Sequence, residues 1–299
     1  MKVSLAAILF PSVAMAFAPT ITQNQKLFAS STSSRLLMAA PAPNVWILPT
    51  EEDVTDAVHR IVIDAAQQAI AERGHFCLAI PGGSVLKLLS SLDVDADSEW
   101  VSKTTLAYVN HKCVPNDDLS SAIHAKARNM FLDRWGLTNV ITLDGTDNAQ
   151  VEAADYQAKL QAIPKEVLPR DADGFPVFDL CLIGVGDDGH IGSLYPNRDE
   201  INEDQQWTIG VEMKKPPSIS LTLPIMQRAK QSVVSAAGQS DKYPQGKAAA
   251  MRLAIEDSEI TPAEFPASAL RETAVWILDK PNASEMPTLK RSSLEEVAM

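Results

Sequence analysis

The chain has 299 residues, of which 45% are hydrophobic, and its formal charge at pH 7 is -12. This length and apolar content predict a folded chain with a substantial core and exclude general disorder. The acidity argues against nucleic-acid and anionic-membrane partners, because phosphate backbones are held by surplus lysine and arginine.

The amino-terminal segment differs in composition from the rest of the chain. Residues 1–50 contain Lys2, Lys26 and Arg35 but no Asp or Glu. Residues 1–16 have a basic start and a short apolar run, which is typical of a cleavable signal peptide rather than a membrane span. Residues 17–42 are rich in Ser and Thr, like an organelle transit peptide. The combination resembles the bipartite presequences of algal plastids and predicts a plastid protein, with secretion as the alternative.

The cysteines predict neither a disulfide framework nor a zinc site. Cys77, Cys113 and Cys181 are odd in number and have no paired spacing. His111, Cys113 and His124 lie near one another in sequence, but their spacing matches no zinc pattern.

Strands and helices alternate through residues 43–285, which we predict to form one domain followed by a tail at 286–299. The first strand, residues 45–48, precedes a helix that Thr50 caps, with Asp53 completing a capping box and Gly74 ending the helix. Further strands are predicted at 76–81, 105–109, 140–143, 178–186, 218–223, 231–238 and 274–279, and further helices at 121–135, 149–163 and 247–257. Apolar strands separated by helices predict an α/β, Rossmann-like, mostly parallel sheet with helices on both faces.

Ligands of open parallel sheets bind where strands end, so the residues after each strand are the candidates for a site. After the second strand, Gly82, Gly83 and Ser84 form a tight turn that opens a helix and offers amides to an anion. Residues 108–122 are predicted to be a long polar loop, in which Lys112 could reach a phosphate and Ser121 could cap the next helix. Residues 201–217 could be a small excursion from the main sheet.

The stretch LCLIGVGDDGHIGSLYP, residues 180–196, permits two interpretations. Its glycines fit the spacing of a dinucleotide-binding loop, but Pro196 follows Gly189 too closely for the helix that such a loop opens. Asp188 and His190 on one turn instead suit a histidine base whose orientation a carboxylate fixes. Later in the chain, Lys247 stands in the first turn of a predicted helix, where an anionic ligand would explain it.

Four stretches together resemble the 6-phosphogluconolactonase family. FDLCLIGVGDDGHIGSLYPN is similar to the family's FDLxxLGxGPDGHTASLFP, with Asp188 and His190 on its Asp and His. ISLTLPIMQRAKQ resembles its ITLTxPxxxxA segment, PGGSV its SGGSTP phosphate loop, and GKAAAM its glycine-lysine pair, which falls on Lys247. The resemblance implies the fold shared with glucosamine-6-phosphate deaminase and ribose-5-phosphate isomerase, and no metal or organic cofactor.

The chain departs from the family pattern around the phosphate. The family's Asp-Glu-Arg triplet is here Asn110, His111 and Lys112, so a planar bidentate clamp becomes a point charge. Ser218 stands where an arginine usually precedes the ITLT strand. Pro81 and Val85 replace a Ser and a Thr beside the glycines, and Asp187 replaces the proline before the catalytic aspartate.

The resemblance implies hydrolysis of 6-phospho-D-glucono-1,5-lactone to 6-phospho-D-gluconate in the oxidative pentose phosphate pathway. His190 is then the base and Asp188 its orienting group, while Gly82, Gly83, Ser84, Lys112 and Lys247 hold the phosphate. Backbone N–H groups of a glycine loop are expected to bind the oxyanion. We expect a monomer or a weak homo-oligomer.

Two other functions remain open at this point. A sugar-phosphate isomerase or deaminase would need a carboxylate base, for which only Asp117, Asp118 and Asp187 are placed. A paralogue that binds a sugar phosphate without turnover is favoured by the missing arginines.

Overall fold

A computed structural model of the protein describes residues 44–95, 98–241 and 243–286. The predicted presequence, residues 1–42, and residues 287–299 of the predicted tail lie outside these ranges. Within the ranges, no helix combines the length and the hydropathy needed to cross a bilayer.

The strands belong to two sheets, of which the larger is parallel. In chain order the strands are β1 (Asn44–Leu48), β2 (Phe76–Ile80), β3 (Thr104–Tyr108), β4 (Asn110–Lys112), β5 (Leu180–Ile183), β6 (Thr208–Val211), β7 (Ser218–Leu221), β8 (Gln231–Ala236) and β9 (Ala274–Asp279). The larger sheet has the order β1-β9-β8-β5-β2-β3, and every pair in it is parallel. The smaller sheet, β4-β7-β6, is antiparallel.

The helices connect these strands. They are α1 (Glu51–Arg73), α2 (Ser84–Ser90), α3 (Glu99–Ser102), α4 (Ile123–Ala127), α5 (Asp133–Trp135), α6 (Ala149–Ala162), α7 (Leu223–Arg228) and α8 (Ala248–Ile255). A π-helical turn, Arg128–Leu132, joins α4 to α5, and short 3-10 helices span Asp199–Asn202 and Pro266–Leu270.

Helix α1 begins and ends as its sequence predicts. The Thr50 side chain accepts a hydrogen bond from the Asp53 amide at 3.1 Å, and the Asp53 carboxylate accepts one from the Thr50 amide at 2.9 Å. Gly74 ends the helix in the left-handed region at φ 81°, which a glycine adopts without steric cost.

Alternate residues of the central strands supply two separate hydrophobic cores. Leu78 and Ile80 of β2 belong to one core with α1, α2 and the helical segment from α4 to α5. Cys77 and Ala79, one position out of phase, belong to the other core with α6, α7 and α8. The period of two along the strand therefore places helices on both faces, which confirms the predicted layered α/β class.

The predicted polar loop at 108–122 is partly wrong, because its first residues form β4. Asn110 pairs with Ser220, and Lys112 pairs with Ser218, so this strand joins the smaller sheet. The predicted strand at 218–223 exists as β7, but it pairs antiparallel with β4 and β6 rather than in the parallel sheet. Since β6 lies within residues 201–217, the excursion is the outer strand of this smaller sheet.

Two further expectations fail for identifiable reasons. The strand predicted at 140–143 reduces to one bridge between Val140 and Leu106. Beyond it, the amides of Asp144 and Thr146 donate to the buried Glu152 carboxylate and not to a neighbouring strand. Ser121 does not cap α4, which begins one residue after Ala122; the His111 ring accepts from the His124 amide at 2.9 Å instead.

Candidate active site

The loop at 184–196 starts where the buried strand β5 ends, at the centre of the parallel sheet. The Gly186 amide donates to the His190 carbonyl at 2.8 Å, and the Gly189 amide donates to the Gly186 carbonyl at 2.9 Å. These bonds close a compact turn that presents His190 at the carboxyl edge of the sheet, where ligands of such sheets bind. They also occupy the Gly186 and Gly189 amides, so those two groups are not available to an oxyanion.

His190 and Asp188 form a hydrogen-bonded pair on this turn. His190 Nδ1 lies 2.5 Å from Asp188 Oδ1, and the same oxygen accepts from the His190 amide at 3.2 Å. Partial burial would raise the pKa of Asp188, but the hydrogen bonds from His190 outweigh it and hold that pKa below its usual value. The carboxylate therefore stays charged and fixes Nδ1 as the protonated ring nitrogen. Among the described residues, none makes a hydrogen bond to Nε2, which is left to accept a proton.

Tyr195 packs against His190, and Lys214 packs against Tyr195. The sequence did not predict either contact. The Tyr195 ring packs against His190 with centroids 4.8 Å apart. The Lys214 ammonium lies 4.5 Å from the centroid of the same tyrosine ring. The available signal was the basic pair before two prolines at 214–217, just ahead of β7.

The smaller sheet packs against the 184–196 loop. The Ser193 amide donates to the Ser220 hydroxyl at 3.1 Å, and the Asn110 amide nitrogen donates to the Ser193 hydroxyl at 3.2 Å. Gly192 has φ 58°, and a β-carbon there would lie 2.7 Å from the Ser220 hydroxyl oxygen. Small residues and hydrogen bonds of ordinary length therefore hold the loop against β4 and β7.

Ser84, the last residue of the Gly82–Ser84 turn, lines a cavity together with Lys247. Gly83 has φ 75° and precedes α2 with no side chain capping the helix, so its first amides remain open to a ligand. Ser84 and Lys247 line a cavity of about 570 Å³ together with Gly238, Tyr243 and Asn282. The structure thus brings together two stretches that are more than half the chain apart in sequence.

Lys247 also reaches the 184–196 loop. Its ammonium donates to the Val185 carbonyl, and its amide donates to the Asn282 side chain at 2.7 Å. Burial lowers the pKa of Lys247, and the carboxylates of Asp187 and Asp188 act against that decrease. Lys247 therefore connects the cavity to the His190–Asp188 pair.

Lys112 lies elsewhere, on β4, and does not line that cavity. Its ammonium donates to the Pro216 carbonyl at 3.2 Å. Desolvation and the nearby charge of Lys214 lower the pKa of Lys112. Lys112 thus belongs with Lys214, on the Tyr195 side of His190, whereas Ser84 and Lys247 form a second group.

His111 is a structural residue rather than a ligand. Its ring is fully buried, with Nδ1 2.7 Å from the Lys112 carbonyl and Nε2 accepting from the His124 amide. Both nitrogens are occupied, and burial lowers the pKa of His111 to about 4. Nowhere in the described ranges do three or more His, Cys, Asp or Glu side chains gather as a metal site would require.

The match to known proteins agrees with this geometry. The family model described as glucosamine-6-phosphate isomerases/6-phosphogluconolactonase matches residues 49–277. The chain belongs to this family. The matched residues include the Gly82–Ser84 turn, the 184–196 loop and Lys247.

Curated members of the family align over most of the chain. It is 30% identical over 255 residues to 6-phosphogluconolactonase 3, chloroplastic, of Arabidopsis thaliana. That alignment covers 81% of this chain and 75% of the relative. It is 29% identical over 273 residues to the 6-phosphogluconolactonase of Homo sapiens, and this alignment covers 86% of this chain and 100% of the relative.

Solved structures share the family fold. The 6-phosphogluconolactonase of Leishmania guyanensis superimposes with a TM-score of 0.67 at 24% identity, covering 83% of this chain and 100% of that one. The enzyme of Trypanosoma brucei gives a TM-score of 0.68 at 20% identity, again covering 83% and 100%. The architecture is thus retained while most side chains differ.

The carboxylates that an isomerase or deaminase would require are only partly at the site. Asp187 lies on the 184–196 loop, near Lys247. Asp118 is bound within its own turn, where it accepts from the Ser120 amide at 2.8 Å and the Ser120 hydroxyl at 2.6 Å. Asp117 is exposed, and of the three carboxylates only Asp187 lies on the loop that carries His190.

Proposed function

We propose that the protein hydrolyses 6-phospho-D-glucono-1,5-lactone to 6-phospho-D-gluconate. The observation that carries the proposal is the His190 ring, held through Nδ1 by Asp188 with Nε2 free at the carboxyl edge of the sheet. Relatives that align over most of the chain are named 6-phosphogluconolactonases, which supports the same reaction.

The chemistry assigned to the pair is general base catalysis. His190 Nε2 removes a proton from a water molecule as its oxygen attacks the lactone carbonyl carbon, C1. Asp188 stabilises the imidazolium that forms and keeps its ring in place. As the tetrahedral intermediate collapses, the bond from C1 to the ring oxygen breaks, and the imidazolium returns its proton to that oxygen. The product is the open-chain acid, and the histidine is regenerated.

The substrate phosphate is assigned to amides and lysines around the pair. The open amides of Gly82, Gly83 and Ser84 suit an anion at the start of α2. Lys247 on the cavity side and Lys112 on the Tyr195 side supply positive charge, which charge-assisted hydrogen bonds to phosphate require. These roles follow from position and charge alone.

The compartment we propose is the plastid. The relatives of Arabidopsis thaliana and Oryza sativa are named chloroplastic, and residues 1–42 have the composition of a two-part presequence. A fluorescent protein fused behind residues 1–42 should enter plastids, and a fusion that lacks residues 17–42 should not.

Binding without turnover is the second candidate function, because Ser218 and Lys112 stand where the family pattern has arginines. A recombinant chain that starts near residue 42 should be assayed for lactone hydrolysis and, by calorimetry, for binding of 6-phosphogluconate. Turnover above the spontaneous rate supports the lactonase. Affinity without turnover supports the binder, and the absence of both overturns the two proposals.

A further inference from the structure

The family pattern that the chain resembles has an arginine before the ITLT strand, and this chain has Ser218 there. Ser218 is buried at the start of β7 and carries no charge. In the antiparallel pair of β4 and β7, Ser218 lies directly opposite Lys112. Any positive charge that replaces an arginine at 218 must therefore come from the residues around Lys112.

Lys214 can provide this positive charge. Its side chain is exposed, and its ammonium lies 4.5 Å from the centroid of the Tyr195 ring. Tyr195 in turn packs against His190 at 4.8 Å between centroids. Contact with an aromatic face orients a lysine but satisfies none of its N–H donors, so the ammonium can still bind an anion.

Neither lysine is paired with a carboxylate of the described residues, although the charge of Glu212 reaches Cys113, the neighbour of Lys112. In the described ranges, no ion pair joins Lys112 or Lys214 to a carboxylate. Burial lowers the pKa of Lys112, and the like charge of Lys214 lowers it further. Lys247 differs, because the carboxylates of Asp187 and Asp188 lie near it. A dianion placed between Lys112 and Lys214 would relieve their repulsion.

We infer that Lys214 joins Lys112 and the other residues assigned to the phosphate of the lactone, and that it supplies the cation that Ser218 does not. The inference rests on the proposed function for the identity of the substrate. Two point charges hold a phosphate without the planar geometry of an arginine clamp, which explains how the chain can lack arginine there. Lys214 is thus a specificity-determining residue for the phosphorylated substrate.

The test compares phosphorylated and unphosphorylated lactones. Wild type, Lys214→Ala, Lys214→Arg and Lys165→Ala are assayed with 6-phosphogluconolactone and with glucono-1,5-lactone, and 6-phosphogluconate binding is measured by calorimetry. Lys165 is the matched control, because it is an exposed lysine that follows α6 in the chain. The nearby Val167 carbonyl accepts a hydrogen bond from the Cys77 thiol near the amino-terminal end of β2, away from the carboxyl ends of the strands where His190 stands. Lys214→Ala should raise KM for the phosphorylated lactone, and Kd for 6-phosphogluconate, about tenfold with kcat little changed.

The remaining arms separate the alternatives. Lys214→Arg should restore most of the affinity, and neither Lys214→Ala nor Lys165→Ala should alter hydrolysis of the unphosphorylated lactone. Equal losses on both lactones would overturn the inference, because Lys214 would then act through Tyr195 on His190. Normal turnover with unchanged KM in Lys214→Ala overturns the inference and leaves the lactonase standing. Lys214-dependent binding of 6-phosphogluconate without turnover supports the inference while the lactonase fails.

Discussion

Gly186 faces the His190 imidazole so closely that a β-carbon on Gly186 would lie 2.0 Å from His190 Nδ1. The same β-carbon would lie 2.7 Å from Asp188 Oδ1. The absence of a side chain at Gly186 is therefore what gives the His190–Asp188 pair its room. The glycine that imitates a nucleotide-binding motif in the sequence instead accommodates the proposed catalytic pair.

Gly186→Ala should abolish most of the activity without unfolding the protein. The added methyl group displaces the imidazole, and Gly186 does not adopt a backbone conformation reserved for glycine. We expect kcat to fall about a hundredfold or more, as when a general base is lost. Gly184→Ala is the matched control, because a β-carbon there meets nothing within 4 Å. Equal activities of the two variants would show that the pair does not depend on Gly186.

Asp188→Asn should lower kcat while leaving KM nearly unchanged. The amide keeps the shape of the carboxylate but removes the charge that stabilises an imidazolium and fixes the protonated nitrogen. A decrease in kcat of about tenfold to a thousandfold is expected. Asp187→Asn, which removes the neighbouring charge and leaves the pair intact, should retain kcat. Steady-state kinetics of both variants decide the matter; the assignment of Asp188 fails if both retain wild-type kcat.

Acid should weaken the fold through His111. Burial lowers the pKa of His111 to about 4 from an ordinary value of 6.5, so the unfolded chain binds a proton that the folded chain does not between these values. The stability due to neutral His111 is complete above pH 6.5 and is lost as the pH falls toward 4, by up to about 3 kcal/mol.

Urea unfolding of wild type and His111→Gln at pH 7 and pH 5 isolates this contribution, since the other titrating groups are common to both proteins. The stability advantage of wild type should be about 2 kcal/mol smaller at pH 5 than at pH 7. An advantage that does not change with pH would contradict the neutral, buried state of His111.

Local signals in the sequence predicted the elements that local interactions determine. Thr50 and Asp53 set the start of α1 and Gly74 sets its end, because each acts on the adjacent helix terminus. His190 and Asp188 were predictable for the same reason, since they stand on one turn. The strand β4 was missed because three residues acquire their strand character only by pairing with β7, which is far away in sequence.

The unpredicted part of the site is made of contacts between distant segments. Nothing local marks Lys214 as a neighbour of Tyr195, or separates Lys112 from the cavity that Ser84 and Lys247 share. Likewise, the cap of α4 is a histidine ring from β4 rather than the adjacent Ser121. Such contacts depend on how the smaller sheet packs against the larger one, which periodicity and spacing do not encode.

The rate of 6-phosphogluconolactone hydrolysis by His190→Ala decides whether His190 is the catalytic base. Wild type and His59→Ala, in which a histidine on α1 is removed instead, serve as references. We predict that His190→Ala loses about a hundredfold or more in kcat while binding 6-phosphogluconate and unfolding on heating like wild type. A His190→Ala variant that hydrolyses the lactone at the wild-type rate would show that His190 is not the base.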